Sequence, residues 1–168
     1  MFQDEARFGR LPVIRTAWAP PGVRPVVRAA LEREFRYVFA AVSPFEGGLD
    51  WMVTDSTKTT NMNLFLAQVR ERYPHEYILM VVDGAACHTA GALKVPDNMA
   101  LLRLPPYSPE LNPAEGIWKH LRHEACANVL FETLDDVIDT VVRELAELAR
   151  VPHRVASMFL HPWIIQAT

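Results

Sequence analysis

Three carboxylic acids stand where a chain usually places reactive groups rather than solvated ones. Asp83 closes an apolar run, "EYILMVVDG" at 76–84, that reads as a strand buried on both faces. Asp4 lies in "FQDEARFG", at or near the end of a first strand. Glu115 falls in the first turn of a helix that follows a rigid loop, "LPPYSPELNP", with prolines at 105, 106, 109 and 113. In open α/β sheets, ligand sites gather beyond strand ends, where loops and helix starts converge. Three carboxylates brought there by three separate elements would offer clustered oxygens, the ligand set of hard divalent cations such as Mg2+.

Each acid also has a structural reading. Asn112 is a good N-cap, Pro113 suits the first helical position, and Glu115 then falls at N3 of a capping arrangement. Glu115 and Lys119 have the spacing of an i,i+4 ion pair. Asp83 is compatible with a simple strand-to-loop turn, and Asp4 with a solvated acid near a terminus. His88, five positions after Asp83, reads as a hydrogen-bonded structural histidine. Trp118, with Ile117, Leu121 and Ala125, reads as the core face of its helix. The six histidines form no HExxH motif and no zinc-type pairing with cysteine.

The elements that would position these acids follow from hydrophobic pattern. "RYVFAAV" (36–42) and "LDWMVTD" (49–55) predict a hairpin, bounded by the turn-forming "APPG" and "SPFEGG". Residues 60–73 predict a helix, with Leu64, Phe65 and Val69 at helical spacing. "MALLRLP" (99–105) predicts a second buried strand, and a helix is expected from Pro113 to about Cys126. The last long helix starts at Thr133, where "TLDD" has capping-box spacing. It presents Val137, Ile138, Val141, Val142, Leu145, Leu148 and Ala149 as one stripe. The layout is α/β, with a mixed sheet and helices packed on it.

The 168 residues suffice for one domain with a real core, and half of them are hydrophobic, which excludes disorder. The net charge of −3 shows no dedicated basic grip for nucleic acid. Two distant cysteines, Cys87 and Cys126, argue against a disulfide framework and for a reducing, cytoplasmic setting. The chain shows no signal peptide, and no apolar run approaches a membrane span.

"DE-R-FG" at 4–9, "VVDGAACH" at 81–88 and "LPPYSPELNPAEGIWKHLR" at 104–122 occur in that order. Together they resemble the DDE endonuclease catalytic domain of mariner-superfamily transposases, in the bacterial insertion-sequence branch. The third motif is the most specific and matches from Pro105 to Trp118, and the resemblance runs to about residue 150. It implies a ribonuclease-H-like fold, a mixed sheet with helices on both faces, as one catalytic domain over 1–168. The core would end near 150 and a tail would cover 151–168. It implies a catalytic and metal-binding triad of Asp4, Asp83 and Glu115 holding two Mg2+ or Mn2+ ions, with His88, Asn112 and Trp118 in support. Arg7, Lys119 and Arg122 are the candidate DNA contacts. The implied activity is strand cleavage at transposon ends and transfer into target DNA, by a homodimer.

The sequence departs from the family pattern in three ways. Positions 83 and 115 are 32 apart, slightly fewer than usual. Gly84 stands where the family commonly has Asn. The helix-turn-helix domains expected ahead of Asp4 are absent, so a separate chain bearing them is an expected partner. A stand-alone ribonuclease-H-like nuclease, and an inactive remnant serving as an interaction module, remain the alternative readings.

Overall fold

Alternation of apolar side chains builds the sheet, and the apolar run at 78–82 lies inside it. The second run, expected as a buried strand, instead forms the sheet's edge over 99–103. There Met99 is buried but Leu102 is 52% exposed, because among the described residues no strand pairs on its outer side. In the computed structural model, which describes all residues except 27, 29–31, 90, 161, 167 and 168, five strands form: β1 (Phe2–Gly9), β2 (Phe35–Val42), β3 (Leu49–Thr54), β4 (Ile78–Val82) and β5 (Met99–Arg103). Their order across the sheet is β3-β2-β1-β4-β5. β1 is antiparallel to β2, and β2 to β3, in a meander. β4 lies parallel to β1, and β5 parallel to β4.

Helices cover both faces. Helix α1 (Thr59–Arg72) and the short α2 (Ala86–Thr89) lie on one side. There Met62, Phe65, Leu66 and Val69 pack with Phe39, Ala41, Met80 and Val82. Their i, i+3, i+4, i+7 spacing is the buried stripe. Leu64, expected in it, is 61% exposed, because it falls on the opposite side of the turn from Met62 and Leu66. Helices α3 (Glu115–His120), α4 (Leu134–Ala149) and α5 (Pro152–Phe159) cover the other face. Ile117, Trp118, Val137, Val141, Leu145, Leu148, Val155 and Phe159 bury against Ala6, Phe8, Val38, Ala40 and Val42. The alternate residues of β2 therefore feed two cores, and Val38 through Val42 are all fully buried.

Local chemistry sets the boundaries. Thr133 and Asp136 exchange side-chain and backbone hydrogen bonds of 3.1 and 2.9 Å, which starts α4 with the expected capping box. Helix α3 widens at once into a π turn over Leu121–Ala125. Residues 151–168, expected as a tail, contain α5 and α6 (Pro162–Gln166); residues 161, 167 and 168 lie outside the described residues. Helix α5 belongs to the core, and two close approaches hold it there. Gly47 has φ +71°, and a Cβ on it would lie 1.9 Å from the Pro152 carbonyl oxygen. A Cβ on Gly116 would lie 2.7 Å from the ring of Phe159.

Candidate active site

Asp4 is the third residue of β1, near the strand's start rather than its end. It shares a face with Ala6 and Phe8, toward α3. Asp83 follows the last residue of β4. Glu115 opens α3 and is exposed. All three line one cleft of about 450 Å³, with Gly84, the proline loop from Leu104 to Pro109, and Asn112. Among the described residues, that lining includes no lysine, arginine or histidine.

Asn112 and Glu115 divide the work that the sequence left contested. The Asn112 side chain accepts from Ala114 N at 3.2 Å and donates to the Gln3 carbonyl at 3.0 Å. It closes the turn that leads into the helix and ties the helix start to β1. Its own backbone N–H goes to Pro109 O. The reciprocal bond that would make Glu115 a capping residue is thus replaced, and the carboxylate is left at the cleft. Trp118 also does more than fill the core. It is 1% exposed, and its Nε1–H donates to Asp4 Oδ2 at 2.9 Å. Asp4 Oδ1 accepts from Glu5 N at 2.9 Å.

These surroundings set the charge of the acids. Burial pushes the Asp4 carboxyl up to about 7; the Trp118 hydrogen bond opposes this and the neighbouring Glu115 adds to it. Asp50 is equally buried, but Arg72 reaches its Oδ1 at 2.7 Å. That acid is structural, whereas among the described residues no basic side chain pairs with Asp4. Asp83 is held below its ordinary value by its hydrogen bond with His88, with burial opposing. Its Oδ1 lies 2.9 Å from His88 Nδ1 and accepts from Ala85 N at 2.8 Å. Burial works against charge on His88, but the hydrogen bond with Asp83, the Cys87 thiol and the carboxylate of Glu5 close by outweigh it and push the ring up to about 12.

Sequence reasoning missed Glu5. Strand alternation turns it to the face opposite Asp4, where His88 Nε2 is 3.1 Å from its Oε1 and the Cys87 thiol donates to the same oxygen at 3.1 Å. Among the described residues, these three donor atoms form the group of metal-type ligands that lies within 4.8 Å; the three cleft acids stand farther apart. The structure does not bring the expected DNA contacts into the cleft. Arg7 lies over the Phe35 ring and Arg122 over the Phe8 ring, and both line a second cavity of about 360 Å³. Lys119 is exposed on α3, one turn beyond Glu115. At the open position 84, a Cβ would meet nothing within 4 Å.

The model of the DDE superfamily endonucleases matches residues 1–138. The chain belongs to this family. The uncharacterized protein y4pE/y4sA of Sinorhizobium fredii (strain NBRC 101917 / NGR234) is 34% identical over 128 residues, which span 76% of this chain and 95% of that protein. The fold resembles that of the Mos1 transposase in its paired-end complex with the left transposon end. The TM-score is 0.65 at 18% identity, over 94% of this chain and 52% of that one. The Mos1 mariner paired-end complex with Mn gives a TM-score of 0.60 at 20% identity, with coverage of 94% and 52%. The chain thus has a ribonuclease-H-like fold and spans about half the length of these Mos1 chains. Among the described residues, no helix is long and apolar enough to cross a membrane.

Proposed function

We propose that this DDE endonuclease domain is the catalytic part of a transposase, cutting DNA at element ends and joining them to a target. Asp4, Asp83 and Glu115 would hold two divalent ions, Mg2+ or Mn2+. The observation that carries the reading is Asp4. A buried acid beside a second acid, in a cleft whose lining lacks a basic side chain, is unfavourable by itself and fits a bound hard cation. Bound there, such ions supply Lewis-acid chemistry for an in-line displacement at phosphorus.

The chain's own residues supply the frame. Trp118 and the Glu5 amide orient both oxygens of Asp4. Asn112 and the four prolines fix where α3 begins, which sets Glu115. Tyr107, at φ 59° and fully exposed on the cleft's rim, offers an aromatic face to an approaching strand. Recognition of transposon ends, by this reading, belongs to a helix-turn-helix outside this domain, and the assembled enzyme is a dimer.

The test is metal binding and nicking with conservative variants. Asp83→Asn and Glu115→Gln keep volume and remove charge, so both should abolish Mn2+-dependent cleavage of supercoiled DNA. The exposed Glu115→Gln should leave the unfolding temperature nearly unchanged, while Asp83→Asn, which faces the buried His88 ring, should stay folded at a lower one. Full nicking by both variants would sink the mechanism. No Mn2+ binding by the unaltered chain would favour the inactive-remnant reading instead.

A further inference from the structure

Asp4 and Asp83 sit on neighbouring strands whose pairing is short. β1 and β4 share the register pair Phe2–Val81, reinforced by Val81 N to Met1 O. Both acids lie beyond it, Asp4 two residues past Phe2 and Asp83 two past Val81. The described residues show no ladder hydrogen bonds between β1 and β4 at that level. Main-chain pairing between β1 and β4 therefore does not set the spacing of the two acids, although β4 stays paired with β5 through Val82.

A chain of contacts on the far face of the sheet joins them. Glu5 follows Asp4 directly and points the other way. Its Oε1 lies 3.1 Å from His88 Nε2, close in distance though off-line for a hydrogen bond. The other ring nitrogen is 2.9 Å from Asp83 Oδ1. The ring is 1% exposed and sits on α2, a four-residue helix that starts three positions after Asp83. The Cys87 thiol on the same oxygen fixes the Glu5 rotamer. The link thus runs from the backbone beside Asp4, through Glu5 and the imidazole, to Asp83.

We infer that Glu5 and His88 are positioning residues, a side-chain strut that sets Asp83 relative to Asp4 where main-chain pairing has stopped. The inference rests on the reading that Asp83 is a metal ligand. Partners that orient metal ligands from behind typically change metal affinity about 10–100-fold when removed. The strut explains why a glutamate is buried behind the cleft without contributing to it.

The test uses the whole chain with Glu5→Gln and His88→Gln, singly and combined. Mn2+ affinity is measured by calorimetry, the bound ion by electron paramagnetic resonance, and the His88 ring by 15N NMR. Each single change should weaken Mn2+ on the order of tenfold or more and alter the spectrum of bound Mn2+, with little loss of thermal stability. The double change should cost no more than the worse single one, because both cut one link. In Glu5→Gln the Nδ1 resonance facing Asp83 should move along with Nε2. If Glu5→Gln does not fold, Glu5→Asp retains the charge but retracts it, and should give an intermediate loss. Unchanged Mn2+ affinity, or losses that multiply in the double variant, would overturn the strut. If the unaltered chain binds no Mn2+, the catalytic reading fails, and an unmoved Nδ1 resonance in Glu5→Gln overturns the strut separately. Stoichiometric Co2+ uptake with a thiolate absorption band that Cys87→Ser removes would make Glu5, Cys87 and His88 a metal site, and would equally overturn it.

Discussion

Replacing Asp4 with asparagine should stabilise the metal-free chain at neutral and alkaline pH and, on the proposed reading, abolish Mg2+ binding. Asp4 is 7% exposed, and its carboxyl is raised from the ordinary 3.8 to about 7, chiefly by burial. A folded state that holds a proton more tightly than the unfolded chain is favoured below the unfolded pKa. That advantage disappears as pH rises through the folded value. The gap, at about 1.4 kcal/mol per pH unit, makes the ionised carboxylate cost about 4 kcal/mol above pH 7. Asparagine carries no charge but meets two donors, Glu5 N and Trp118 Nε1, both at 2.9 Å. One of them loses its acceptor, at a cost of about 1–2 kcal/mol. The net expectation is a gain of about 2–3 kcal/mol at pH 8 and a small loss at pH 4. Urea unfolding of both proteins in EDTA, from pH 4 to 8, measures this directly. The difference between the two curves isolates Asp4 from other titrating groups and should change sign between pH 4 and 7. Saturating Mg2+ should narrow it at pH 8 by stabilising only the unaltered chain. A difference that is flat with pH, or Asp4→Asn less stable at every pH, would refute the claim that the carboxylate is strained by burial.

Other changes separate packing from chemistry. Gly116→Ala drives a methyl into Phe159, a fully buried ring, and should cost about 1–3 kcal/mol by chemical denaturation. Gly84→Asn, on the open cleft floor, should change stability by no more than about 0.5 kcal/mol. Tyr107→Gly releases a left-handed backbone and gives up no buried contact. It should therefore leave stability equal or raise it by about 1 kcal/mol, while weakening DNA cleavage; unchanged cleavage would remove Tyr107 from the substrate path. Fluorescence anisotropy should show weak DNA binding that falls steeply with salt, strengthens with Mg2+ and does not distinguish element ends from scrambled duplex. Tight, selective binding would show that the domain carries its own recognition.

The order of strands and helices was legible because each long element carries its own period. β4 is an uninterrupted apolar run, α4 has a capping box ahead of a stripe, and the boundaries moved by only a residue or two. The face of α1 was harder to read. Leu64 and Leu66 are chemically alike, and the neighbours that distinguish them lie on β2 and β4. The three acids were visible as residues at ends of elements. Their surroundings were not, because the groups that tune them arrive from far along the chain. The Trp118–Asp4 hydrogen bond joins residues 114 positions apart. Asp4 and Asp50 look alike in sequence; the arginine on one and its absence from the other are properties of the fold. Glu5 was hidden for a related reason, since alternation assigns it to the face away from the cleft.

One strand serves as the reference for the whole cleft. Asp4 is built into β1, and Asn112 fastens the start of α3 to the Gln3 carbonyl on the same strand. Trp118 grips Asp4 from one turn farther along that helix, so Glu115 is set between two points tied to β1. Asp83 hangs from a strand whose register pair with β1 is Phe2–Val81, two residues short of it. Beside the local bond from Ala85 N, its support toward β1 is the contact through His88 to Glu5. The three acids are therefore not equally restrained. Glu115 has a proline-stiffened loop and a buried amide behind it, whereas Asp83, itself half-exposed, has an imidazole and the Glu5 carboxylate. A site arranged this way concentrates its freedom in Asp83, the acid whose adjustment, on the proposed reading, would accompany any change in bound ions or phosphates. Loosening the Asn112 tether and loosening the Glu5 strut should accordingly act on different acids. Their effects on Mn2+ affinity should multiply, in contrast to the shared loss expected for Glu5 and His88.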